Sequence, residues 1–181
     1  MSRVDLVDPA SASGEAKAVL DDVTAAFGTT PAMFRAVANS PAALRMMWSG
    51  FGALGGGRLD AKLGEQIAVL IADRNSCEYC LAAHTALGRK AGATSAEMRG
   101  AQAGESDDPR TAAALTFAAA LVEDRGHVGD ADVAALRAAG FDDEEVVELV
   151  AHVALNLFTN YVNVALGVPL DFPKVALRAA S

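Results

Sequence analysis

Residues 59–92 read LDAKLGEQIAVLIADRNSCEYCLAAHTALGRKAG. Asp60 stands where a helix cap belongs, and the apolar residues that follow recur at helical spacing to about Asp73. Asn75 or Ser76 is positioned to open a second helix running to about Ala91, where Gly92 is the natural stop. The stretch is therefore read as two consecutive helices joined by a tight turn.

The same punctuation continues outward. Toward the N-terminus, Ser13 can cap an amphipathic helix through about Phe27, and Pro31 and Pro41 each suit a first helical turn, with Ser40 capping the second. Toward the C-terminus, Thr94 and Glu97 have capping-box spacing. Asp108-Pro109 opens an Ala-rich helix that ends before Gly126, and Asp130 opens a short one ending at Gly140. Asp142 and Glu145, again at capping-box spacing, open the longest helix, to about Leu166. No segment alternates with period 2. The predicted fold is all-α, a single-domain helical bundle of about eight or nine helices spanning residues 1–181.

Composition bounds the function. The chain has 181 residues, enough to bury a sizeable core, and 52% of them are hydrophobic, which argues against disorder. Fifteen basic against 23 acidic residues give a net charge of −8, which disfavours nucleic acid and anionic membranes as partners. The N-terminus has no apolar run of signal-peptide type, and Glu148, His152, Asn156, Asn160 and Asn163 interrupt the most apolar stretch, so a cytoplasmic location is expected. Two cysteines are too few for a disulfide scaffold.

Those two cysteines carry the chemistry. Cys77 and Cys80 form a C-x-x-C, with His84 four residues later. At about 100° per residue on a helix, Cys80 falls near −60° and His84 near −20° from Cys77, so all three share one face. Both cysteines lie near a helix start, where free N–H groups and the dipole favour a thiolate. Glu65 sits on the preceding helix among Ala61, Ala68, Val69 and Ala72, a small apolar face on which burial would suit a carboxylate to proton exchange. By dipole Cys77 is the better thiolate, and by proximity to His84 Cys80 is, so the residues alone leave the attacking sulfur open.

Glu65, the C-x-x-C twelve residues on, and His84 resemble the D-type alkylhydroperoxidase family of the carboxymuconolactone decarboxylase-like superfamily. The likeness centres on residues 59–92, and Pro31-Ala32-Met33-Phe34-Arg35 and Leu170-Asp171-Phe172-Pro173 resemble its peroxidase-related branch. The resemblance implies an all-α fold assembled as a homo-trimer or homo-hexamer. It implies reduction of a small hydroperoxide, with Cys80 as the attacking thiol, Cys77 as the resolving thiol, and Glu65 and His84 as a proton relay. It also implies a lipoyl-bearing or thioredoxin-like protein as reductant, and no metal or organic cofactor. One departure is visible: Tyr79 stands where well-known members carry a second His.

Other readings compete. The cysteines are alternatively plain core residues, a zinc site with His84 and Glu65, or the sensor of a non-catalytic redox oligomer. A decarboxylase-like member would not need the pair. A c-type haem is excluded because Leu81, not His, follows Cys80. On the last long helix, Glu148, His152, Asn156, Asn160 and Asn163 make a polar stripe, read first as a satisfied hydrogen-bonded seam and alternatively as the lining of a cavity below the cysteines. Tyr79, His152 and Asn156 are the candidate supporting residues. Met46, Met47 and Trp48 are read as core or subunit contacts.

Overall fold

The computed structural model describes residues 2–178. Among the described residues there are nine helices and no strand. In chain order they are α1 (Gly14–Phe27), α2 (Ala32–Val37), α3 (Pro41–Gly55), α4 (Ala61–Arg74), α5 (Glu78–Lys90), α6 (Ser95–Ala103), α7 (Pro109–Glu123), α8 (Asp130–Ala138) and α9 (Asp143–Leu166).

The caps act where their side chains put them. Ser40 accepts from Ala43 N, Asp60 from Leu63 N and Asp108 from Thr111 N. Thr94 with Glu97, and Asp142 with Glu145, form reciprocal capping boxes. Ser13 precedes α1 without a side-chain cap bond. Gly92 and Gly140 take φ of +95° and +87°, the left-handed geometry that lets each helix reverse into the next.

Helix α4 is the axis of the bundle. From Gln66 to Ala72 every residue is buried, as expected of a helix surrounded by others. It packs against α5, α6, α7 and α9. Small residues bring these neighbours close. At Gly88 of α5 a Cβ would lie 2.5 Å from Met98 Cε and 3.3 Å from Glu65 Cβ, so glycine is what seats α5 against α4 and α6 there. Gly64 does the same for His152 of α9, whose Cε1 would be 3.3 Å from an added Cβ. Met47 is fully buried, Met46 is half exposed, and Trp48 packs edge-on to Phe34.

Helix α9 is long and apolar enough to cross a membrane by length and composition. In the fold it packs against α3, α4, α5 and α7, and its buried face carries Asn156, Thr159, Asn160 and Asn163. After Gly167 the chain leaves α9 as an extended segment.

Candidate functional site

The turn between α4 and α5 places the cysteines. Asn75 Nδ2 closes the end of α4 by donating to Ile71 O at 3.0 Å. Ser76 then takes φ of +53°, and Cys77 N donates back to Ala72 O at 2.8 Å. Neither Asn75 nor Ser76 caps α5, contrary to the expectation from sequence. Cys77 is the cap: its Sγ accepts from Cys80 N at 3.2 Å. The reason is local, since Asn75 is committed to the helix before it and Ser76 is used for the reversal.

Both sulfurs are free thiols, 1% and 2% exposed at Cys77 and Cys80. They are electrostatically unequal. The Cys80 thiol donates toward the Cys77 sulfur, which lowers the Cys77 pKa against the opposing effect of burial; the Cys80 N–H and the charge of His84 add to the lowering. The same thiol contact, with burial and the Cys77 charge, pushes the Cys80 pKa far up. Cys77 is thus the better resting thiolate. Asn163 Nδ2 partly offsets the rise at Cys80, lying 3.2 Å from Cys80 Sγ and 3.2 Å from Met33 Sδ.

Glu65 and His84 meet as the spacing predicted. His84 Nδ1 is 2.7 Å from Glu65 Oε2, and both side chains are mostly covered. Burial alone would lower the His84 pKa, but the carboxylate wins and raises it. The pairing leaves the other imidazole nitrogen, Nε2, for exchange. Among the described residues no hydrogen bond joins His84 to either sulfur.

A cavity of about 310 Å³ connects these groups. Cys80, His84, Glu65, Asn163 and Thr159 form its polar end, while Phe27, Phe34, Phe51 and Phe172 supply aromatic walls. Cys77 does not line it. A second cavity of about 150 Å³ lies on the other side of the Glu65–His84 pair, and His152 and Asn156 line that one.

The polar stripe of α9 is not a fully satisfied seam, which corrects the first reading. Glu148 accepts from the backbone N–H groups of Arg58 and Leu59, and Asn160 Oδ1 accepts from Asn75. Yet His152 Nε2, Asn156 Oδ1 and Asn163 Oδ1 are buried without a partner. Burial of this kind costs free energy; His152 and Asn156 line the cavity of about 150 Å³ and Asn163 that of about 310 Å³. Tyr79 is buried, and its hydroxyl donates to Asp171 Oδ2 at 2.6 Å. Burial and the Asp171 carboxylate hold the phenol far above its ordinary pKa, so it remains a donor and cannot stand in for an imidazole base.

Asn160 and Asn163 belonged to the stripe, but nothing in their spacing showed that Asn163 reaches a sulfur. Met33, Phe172 and Asp171 come to the site only through the tertiary fold. Among the described residues, no cluster of three or more His, Cys, Asp or Glu side chains is arranged to hold a metal ion. Glu65 and His84 bind one another rather than converging on the thiols.

Fold and site together define a class: an all-helical bundle with a buried C-x-x-C pair at a helix start and a Glu–His pair lining the same cavity as its second cysteine. The comparisons agree with the fold. The sequence profile of the Carboxymuconolactone decarboxylase family matches residues 41–123. The alkylhydroperoxidase AhpD core of an uncharacterized peroxidase-related protein from Ralstonia eutropha JMP134 superposes with a TM-score of 0.85 at 26% identity, covering 94% of this chain and 92% of that one. A peroxidase-related protein from Silicibacter sp. TM1040 superposes at 0.79 with 23% identity, covering 97% and 92%. The debrominase Bmp8, as a variant bound to 2,3,4-tribromopyrrole, gives 0.78 at 19% identity, covering 94% of each chain. No curated protein sequence matches. Over residues 41–123 the chain is similar in sequence to the Carboxymuconolactone decarboxylase family, and it shares the all-helical fold of AhpD-like, peroxidase-related proteins.

Proposed function

We propose that the protein reduces hydroperoxides through Cys80 and Cys77 and is recycled by an external dithiol. The observation that carries this reading is the cavity, which brings Cys80, His84 and Glu65 to one wall and leaves Cys77 behind it. The Cys77 pKa is lowered and the His84 pKa raised, and the proposed cycle starts from a Cys77 thiolate and a His84 imidazolium. A proton passes from the Cys80 thiol to the Cys77 sulfur. The Cys80 thiolate attacks the terminal peroxide oxygen, the O–O bond breaks, and the departing alkoxide takes a proton from His84. Cys80 is now a sulfenic acid. Neutral His84, oriented by Glu65, then takes the Cys77 proton. Cys77 attacks the Cys80 sulfur, and the hydroxide leaves as water with that same proton. A dithiol returns the pair to its thiols by exchange.

A lipoyl-bearing or thioredoxin-like protein is the proposed reductant, in the cytoplasm, where such dithiols are kept reduced. A homo-trimer or homo-hexamer is part of the same proposal. It is supported by the exposed apolar residues Val147, Val150, Tyr161 and Val164 on α9. The test is steady-state peroxide consumption with several dithiols. Wild type should turn over many equivalents, and Cys80→Ser should not. A stop after one equivalent would instead fit a redox sensor.

The aromatic lining favours a second reading, removal of halogen from an aromatic ring such as the debrominase structure holds. Bromide release from 2,3,4-tribromopyrrole with a dithiol present separates the two.

A further inference from the structure

The Leu170-Asp171-Phe172-Pro173 sequence plays no part in the cycle above. It lies in the extended segment after α9, and that segment is tied to four places. Asp171 Oδ2 accepts from Ala32 N and from the Tyr79 hydroxyl, each at 2.6 Å. Lys174 Nζ is 3.0 Å from Glu78 Oε1. Ala176 O accepts from Gln102 Nε2 at 3.0 Å, and Arg178 N donates to Asp73 Oδ1 at 3.0 Å. Asp73 precedes the α4–α5 turn, whereas Glu78 and Tyr79 are the two residues between the cysteines. The segment therefore straddles the turn that carries Cys77.

The ties are unequal. Lys174 and Glu78 are largely exposed, and such pairs contribute little. Asp171 is itself exposed, but its Oδ2 takes two short, charge-assisted bonds, which are stronger. Between these ties Phe172 stands edge-on to Tyr79, ring centroids 5.8 Å apart, and forms part of the wall of the Cys80 cavity. A third cavity of about 250 Å³, lined by Thr29, Thr30 and Asp171, shares Phe27, Pro31 and Phe172 with the first. Phe172 is thus part of the partition between the two spaces, together with Phe27 and Pro31.

We propose that residues 171–178 are the specificity element of the thiol site: Phe172 closes one wall over Cys80, and Asp171, holding Tyr79 and Ala32, keeps it closed. Small reagents reach Cys80 through the cavity, and wide ones require the strap to be displaced. The proposal deepens the reading of Cys80 as the reacting thiol and rests on it for its consequence, a substrate limited in width.

The test measures thiol access without peroxide. Fully reduced wild type, Asp171→Ala and Phe172→Ala are alkylated with iodoacetamide or with N-pyrenylmaleimide, and labelling of Cys80 is followed by peptide mass spectrometry. Each variant should speed Cys80 labelling by the wide reagent at least about tenfold and change the small-reagent rate less than about twofold. Equal acceleration of both reagents would mean a generally loosened fold and would overturn the proposal, as would no change with either. Should Asp171→Ala fail to fold, Phe172→Ala decides. Selective acceleration alongside a failed peroxidase assay would sink the catalytic reading and leave the strap standing; the converse pair of results would do the reverse.

Discussion

At the scale of single residues, the Glu65–His84 pair sets the proton chemistry. Burial pulls the His84 pKa down and Glu65 pulls it up, with Glu65 prevailing. Glu65→Gln removes the main opposition to burial and leaves only the Cys77 charge against it, so the His84 pKa should fall from its wild-type value, read by imidazole proton NMR. The linkage has a definite sign. A raised folded-state pKa stabilises fully below the unfolded value and loses that stabilisation as pH rises through the folded one. The urea midpoint of Glu65→Gln should therefore lie furthest below wild type near pH 6, and the gap should narrow as pH rises. A gap that widened with pH would contradict the pairing. Cys80, His84 and Glu65 were legible in the sequence as one group because the first two share a face of α5 and Glu65 lies on the helix before it, whereas Cys77, the cap, falls outside their cavity. The sulfur environment was not legible. Asn163 lies 83 residues from Cys80, and Asp171 lies 92 residues from Tyr79, so no local pattern encodes either contact. Cys77 as a cap was hidden for another reason: Asn75 and Ser76 are stronger cap formers on propensity, but the turn consumes both.

At the scale of elements, helix starts were readable wherever a short polar side chain precedes an apolar period. Ser40, Asp60, Thr94, Asp108 and Asp142 all cap as placed, because capping needs only residues three apart. What spacing does not reveal is how closely two helices approach. Gly88 decides that for α5 against α4 and α6, immediately beside Glu65. Gly88→Ala gains about 1 kcal/mol of helix propensity. It also drives a methyl into Met98 and against Glu65, an overpacking cost of about 1–3 kcal/mol. The expected net is a loss of about 1 kcal/mol by urea denaturation. The Met98 contact is with the flexible end of a side chain, so a double-mutant cycle with Met98→Ala should show favourable coupling. Strict additivity would mean that the glycine is not what seats the helix.

At the scale of the whole molecule, α9 serves two surfaces. Its polar side faces the cavities, and its opposite side leaves Val147 67% and Tyr161 61% exposed. The bundle was legible from sequence, whereas this division of α9 was visible only as an apolar helix with a polar stripe. If the outer face is the subunit contact, wild type should sediment as a trimer or hexamer, and Tyr161→Glu should shift it toward monomer with its helical content intact. A wild-type monomer at all concentrations would refute the assembly. The division of labour between the sulfurs is the central claim, since it requires the less acidic thiol to be the one that attacks. It is tested most directly in Cys77→Ser, which cannot close the disulfide. That protein is mixed with one equivalent of cumene hydroperoxide and dimedone, and the peptide carrying Cys80 is weighed. A dimedone adduct on Cys80, matched by stoichiometric loss of peroxide, is the predicted result. Unmodified Cys80 with the peroxide intact, together with a sulfenic acid trapped on Cys77 in Cys80→Ser, would contradict the account and reverse the two roles.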